Sequence, residues 1–181
     1  MKRLESFMIA ALLLGGSAWA QAPKPAESWT PLNFLIGEWE GVGSGAPGEA
    51  VGSTSFAFSL DKKILIRKNW AQYPPKPGEK NGLSHEDLMI FYPTVTGPSF
   101  RAIYFDNEGH VLQYSVSFGE KQDFTVLETD STQPGPRYRL TYEGKVGGIL
   151  ENIFSIAPPG GEFKVYVRGS LKKSTPRRPL H

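Results

Sequence analysis

Residues 31–43 read P-L-N-F-L-I-G-E-W-E-G-V-G, and the reading of this stretch decides the fold. Thr30 is a residue type suited to an N-cap and Pro31 to a first helical position, so residues 32–36 are expected to make one short helical turn. Gly37 ends it, because glycine accepts the left-handed backbone that a helix exit needs. The residues that follow alternate as a strand, with Glu38 and Glu40 on one face and Trp39 and Gly41 on the other. A short helix running directly into a strand with one inward tryptophan predicts the start of a small β-barrel, the helix plugging one end. Gly41 and Gly43 fit that expectation, since closing a barrel of small circumference requires the first strand to bend and to approach its neighbours closely.

Beyond this stretch the pattern has period two, and no long segment has helical periodicity. Strands are expected at about 53–60, 63–73, 85–92, 99–106, 110–118, 123–130, 137–143, 149–157 and 162–168. Pro93, Gly97-Pro98, Gly119, Pro134-Gly135-Pro136, Gly144, Gly147-Gly148 and Pro158-Pro159-Gly160-Gly161 separate the later ones. With the Trp39 strand this makes about ten, joined mostly by short hairpins, and no long crossover connection intervenes. The expected fold class is therefore all-β: an antiparallel up-and-down barrel with a short helical plug. Residues 74–84 hold three prolines and two glycines and form the one long loop, a candidate flap over the barrel mouth.

Two hairpins can be registered from their turns. Asp106-Asn107-Glu108-Gly109-His110 suits a type I turn with Gly109 left-handed, followed by a glycine bulge. Asp106 then lies opposite His110, Tyr104 opposite Leu112, Ala102 opposite Tyr114 and Phe100 opposite Val116. This set is more apolar than its alternate and is expected inside, with Asp106 and His110 near a rim. A two-residue turn at Asp61-Lys62 likewise places Leu65, Arg67 and Asn69 inside, and Ile66 and Trp70 outside.

The first residues carry a different pattern. Lys2 and Arg3 precede an apolar stretch at 7–14 and a small-x-small site at Ala18-Trp19-Ala20, the layout of an export signal, and the apolar run is too short for a spanning helix. The expected division is a signal peptide at 1–20, a Pro/Ala-rich lead-in at 21–28, a barrel at 29–171 and a basic tail at 172–181. The localisation expected is export, to the periplasm or beyond. The sequence contains no cysteine, which excludes disulfides, thiolate nucleophiles and thiolate metal sites. Five of its 20 basic residues (Arg168, Lys172, Lys173, Arg177, Arg178) fall in the last fourteen positions. The body before them is mildly acidic and has no field for holding nucleic-acid phosphates.

Gly37-Glu38-Trp39-Glu40-Gly41-Val42-Gly43 matches G-x-W-x-G-x-G, and with Phe34 and Leu35 it resembles the first strand of the calycin superfamily. The likeness is nearest to lipocalin-like and nitrobindin-type bacterial domains. The resemblance implies a closed barrel with an apolar interior for a small ligand. It also implies that Trp39 packs at the closed end against a basic residue of the last strand, for which Arg168 is the candidate. Nitrobindin-type barrels hold haem through a histidine near the end of the chain. The stretch 163–171 here has none, so haem is not expected. Tyr166 is able to ligate ferric iron, and its facing is ambiguous: Phe163, Val165 and Val167 would turn it outward, parity with Arg168 inward.

The remaining chemistry is sparse. Among three histidines, His85 precedes Glu86 and Asp87, but neighbours along a strand point to opposite faces and cannot converge alone on a metal, so none is expected. His110 with Asp106 suits a turn-stabilising hydrogen bond or an oriented general base. There is no G-x-S-x-G elbow, H-E-x-x-H motif or phosphate loop. The expected ligand-contacting set is Arg67, Tyr104, His110, Tyr114 and Tyr142, which combines large apolar area with polar tips and one inward cation needing a partner. Gly37, Trp39, Gly41, Gly43 and Arg168 are expected to serve structure. The functional expectation is a monomeric barrel that binds a small, largely apolar ligand. Its alternatives are an enzyme of proton transfer, using His110 with Asp106 or Tyr104 with Arg67, and a filled barrel without ligand.

Overall fold

A computed structural model describes residues 29–95, 100–120, 123–129 and 135–174. The segments read as signal peptide and lead-in, most of the basic tail, and the turn residues Gly97-Pro98 and Pro134 lie outside the described residues. The described chain opens with a 3-10 turn, η1 (Thr30–Leu35), and continues as ten strands. These are β1 (Gly37–Gly45), β2 (Ala50–Ser59), β3 (Ile64–Gln72), β4 (Ser84–Pro93) and β5 (Phe100–Asp106), followed by β6 (Val111–Phe118), β7 (Phe124–Thr129), β8 (Arg137–Lys145), β9 (Ile149–Ala157) and β10 (Lys164–Lys173). Each strand pairs antiparallel with its sequence neighbours and β10 pairs with β1, so the sheet closes into an up-and-down barrel. Closure leaves no unpaired edge, and an unpaired edge is the usual liability of an all-β chain.

The opening turn differs from expectation in its start. Trp29 rather than Thr30 is the N-cap and makes no side-chain capping bond. Its indole instead donates to the Lys62 carbonyl at 2.9 Å, tying η1 to the β2–β3 turn. Leu32 and Leu35 are fully buried, and the Trp39 indole donates to the Leu35 carbonyl at 2.8 Å. Trp39, 5 % exposed, thus joins plug to barrel. Gly37 takes φ +124°, the left-handed exit that only glycine adopts freely.

The two hairpin registers follow from their turns. Tyr104 faces Leu112, Ala102 faces Tyr114 and Phe100 faces Val116, with Gly109 at φ +93°. Phe58 faces Leu65 and Phe56 faces Arg67. The core consists of the inward residues of nearly every strand, among them Phe56, Leu65, Met89, Phe91, Tyr114, Leu127, Tyr142 and Leu150, with Leu32 and Leu35 beneath.

The last strand departs from expectation in two ways. It runs to Lys173, so Lys172 and Lys173 belong to the barrel rather than to a tail. Trp39 pairs with Lys173, whose ammonium stands 5.4 Å from the indole. Arg168 pairs with Ser44 near the other end of β1 and points outward, its guanidinium on Glu151 at 2.7 Å. The cation over Trp39 is therefore Lys173 and not Arg168, because the strand is longer than its apolar pattern suggested. A bulge between Val165 and Val167 explains the ambiguity at Tyr166. An extra residue reverses the facing, so the parities above and below it disagree, and Tyr166 sits at the mouth, edge-on to Phe154.

Candidate functional site

The barrel encloses a cavity of about 440 Å³ at the end opposite η1. Its existence follows from the sequence of three adjacent strands. Gly41 and Gly43 of β1, Gly52 of β2 and Gly169 of β10 line it and contribute no side chain. Some of these glycines are obligatory. A Cβ at Gly41 would strike the backbone of Ser170 and Leu171, so β1 and β10 approach there as only glycine allows. Gly43 is different: a Cβ would meet only Arg168 O at 3.7 Å and Val167 Cγ1 at 3.9 Å, which are ordinary contacts. Gly43 leaves space in the cavity that the backbone does not demand.

The walls divide by chemistry. From β8, β9 and β10 come Tyr138, Leu140, Phe154, Ile156, Val167 and Leu171, a mainly apolar surface interrupted by Asn152, on which Tyr138 and Phe154 stack at 5.9 Å. From β3, β4 and the β5–β6 hairpin comes a connected polar wall. Arg67, 4 % exposed, forms an ion pair with Asp87, and Asn69 Nδ2 donates to the other oxygen of that carboxylate at 2.8 Å. Burial is the largest influence on the Arg67 guanidinium and works against its charge, but the Asp87 carboxylate together with Tyr142, Tyr104 and Tyr114 more than offsets it and holds the pKa above its ordinary value. The arginine also lies 5.9 Å from the Tyr142 ring.

His85 continues the wall toward the mouth. Its Nε2 lies 3.4 Å from Asp87 Oδ2 and 3.3 Å from the Tyr104 hydroxyl, and its Nδ1 lies 3.1 Å from Glu108 Oε1. The bond to Asp87 raises the imidazole pKa, burial opposes it and Glu108 adds to the rise, leaving it above the usual histidine value. The Tyr104 hydroxyl donates to Asp106 Oδ2 at 3.1 Å. Burial, with Asp87 and Asp106 nearby, pushes its pKa far up, so it remains a donor at any physiological pH. Asp106 Oδ1 accepts the backbone N–H groups of Glu108 at 3.0 Å and His110 at 2.8 Å, while Oδ2 lies 2.9 Å from His110 Nδ1. Burial disfavours the Asp106 charge, but the backbone and side chain of His110 together with Tyr104 more than offset this, so its pKa falls below the usual carboxylate value.

Of the residues expected to contact a ligand, Arg67, Tyr104 and His110 line the cavity. Tyr114 and Tyr142 do not reach it. They are 1 % exposed and packed in the core, Tyr142 against Phe56 at 5.4 Å and Tyr114 against Tyr104 at 6.4 Å. Both point inward as their strand parity requires, but into the filled part of the barrel. The sequence reading passed over His85, Asp87 and Glu108 as members of one cluster. Register is what joins them: β3 pairs with β4 so that Asn69 faces Asp87 and Ala71 faces His85, and both share the inward parity of Arg67. The long 74–84 loop hid that register. Its flanks reach the mouth, where Tyr73 and Leu83 line the cavity and Tyr73 N–H donates to the Leu83 carbonyl at 2.9 Å.

A second recess, about 690 Å³, lies on the outer face of β1 to β5 between side chains such as Glu38, Ser55, Lys68 and Glu86. It gathers no comparable buried polar cluster. No helix among the described residues is long and apolar enough to cross a membrane.

No protein-family model matches the sequence, and no curated protein matches it. Among solved structures, the chain is similar to Rv2717c from M. tuberculosis, with a TM-score of 0.55 and 16% identity over 85% of this chain and 100% of that one. It also matches EF1p2_mFAP2b, solved bound to DFHBI, with a TM-score of 0.31 and 9% identity over 82% of this chain and 100% of that one. The second likeness is too slight to bear on function, and the first is one of fold. A closed ten-stranded barrel with that likeness fits the calycin-like architecture expected from the G-x-W-x-G-x-G strand.

Proposed function

We propose that this chain is an exported, monomeric barrel that holds one small, largely apolar ligand, with the ligand's polar end toward His85, Tyr104 and Asp106. The observation that carries the reading is the divided cavity. At about 440 Å³ it falls within the range of small-molecule sites, and one wall is mainly apolar while the other concentrates polar groups near the opening. That volume speaks against a filled barrel. The 74–84 loop, which reaches the mouth at Leu83, is the segment placed to cover a bound molecule. Membership of the nitrobindin-type group is part of this proposal, but haem is not: β10 offers Val167, Gly169 and Leu171 to the cavity and Tyr166 to its mouth, with no histidine among them.

Native mass spectrometry and an absorption scan of gently purified full chain test it. A discrete small-molecule adduct on a monomer, with no Soret band, is the expected result. A Soret band would replace the ligand class, and an adduct-free protein that takes up no apolar compound would overturn the proposal. Fractionation of expressing cells tests export, with cleavage after Ala20 expected.

Proton transfer is the second reading, favoured by the chain of contacts from Tyr104 through Asp106 to His110. The His110 side chain is 58% exposed, however, so water competes for it, and binding stands first.

A further inference from the structure

We infer that the barrel mouth is a divalent transition-metal site, with His85, Asp106 and Glu108 as ligands. One donor atom from each lies within 4.8 Å of the others. Tetrahedral ligands at ~2.1 Å from zinc stand roughly 3.5 Å apart, so a modest turn of the exposed Glu108 side chain completes the approach. The donor set is an imidazole with two carboxylates, a combination that suits borderline metals such as zinc.

The observation that separates this site from a chance acidic cluster lies behind it. With Nε2 of His85 turned to Asp87, Nδ1 is left facing Glu108. Asp87 is itself fixed by Arg67 and Asn69. A buried carboxylate holding the far nitrogen of a histidine is the arrangement that orients metal-ligating imidazoles. Asp106 is fixed in the same manner, two backbone N–H groups holding Oδ1 so that Oδ2 faces Tyr104 and His110. The charge balance points the same way. With the His85 imidazole neutral, as metal ligation requires, three carboxylates (Asp87, Asp106, Glu108) face one permanent cation, Arg67, and a divalent ion balances them. Three protein ligands leave a position open, and all three line the cavity, so the open position faces the bound molecule's polar end.

The site stands whether or not the apolar cavity holds a ligand. Untagged full chain, stripped with a chelator, is titrated with zinc chloride by calorimetry. One ion per chain at micromolar affinity or tighter is expected. Glu108→Gln should weaken it at least ~10-fold and His85→Gln more, with circular dichroism and thermal unfolding showing both variants folded. Glu143→Gln, in an exposed cluster with Lys145, should change nothing. X-ray absorption should report nitrogen and oxygen ligands. No saturable binding, or binding that persists in Glu108→Gln and His85→Gln, would overturn the inference. Glu108 is exposed and the Glu108→Gln variant folds in any case.

Discussion

At the scale of single residues the account turns on Arg67. A guanidinium 4 % exposed inside a barrel persists only because Asp87 neutralises it and Asn69 shares the carboxylate. Removing one partner leaves the other buried and unpaired, which costs far more than the pair contributes net. Asp87→Ala should therefore destabilise the protein by about 3–5 kcal/mol in urea unfolding, and the double variant Arg67→Met/Asp87→Ala should recover a large part of that loss. If the double variant is as unstable as the single one, the arginine charge is not what the carboxylate serves. The inward direction of Arg67 was legible, because the two-residue Asp61-Lys62 turn fixed the register of β2 and β3. Its partner was not, because Asp87 follows a long loop whose length erases register. His85 was misjudged for a related reason: along one strand its neighbours diverge, and its real partners come from the next hairpin.

At the scale of elements, β1 and the β2–β3 turn are the informative parts. Gly41 and Gly43 look alike in the sequence, but only Gly41 is held against the backbone of β10. Gly41→Ala should cost about 1–3 kcal/mol by forcing the closing seam apart, whereas Gly43→Ala should leave stability within about 0.5 kcal/mol. Thermal unfolding of the pair checks this, and equal losses would contradict it. The β2–β3 turn stores strain that the sequence did not announce. Leu60, Asp61 and Lys62 all have positive φ (50°, 52° and 61°), though none is glycine. Leu60 is 67% exposed, so its side chain contributes little packing to offset that conformation. Leu60→Gly should stabilise the protein by about 0.5–1 kcal/mol in the same assay, the relief of left-handed strain exceeding the entropy glycine brings. The end of β10 was misplaced because Lys172 and Lys173 resemble a tail by composition. Only pairing with β1 reveals Lys173 as the cation over Trp39.

At the scale of the whole molecule, closure makes the ten strands one cooperative unit. Every strand has two neighbours, so urea unfolding should follow a single transition by both circular dichroism and tryptophan fluorescence. Two separated transitions would mean that part of the sheet unfolds alone. The barrel itself was legible, since period-two alternation and turn spacing determine strand number and order. The cavity was not, because it depends on which inward glycines face backbone and which face space, and that is settled only when the sheet closes. The central claim is that this space receives a small apolar molecule. Gly43→Leu tests it most directly, placing a side chain in the cavity at the position where the backbone leaves room for one. An environment-sensitive apolar dye titrated into wild type should bind once per chain with blue-shifted emission, and Gly43→Leu, folded and equally stable, should not bind it. Equal binding by both proteins, or none by wild type, would contradict the account.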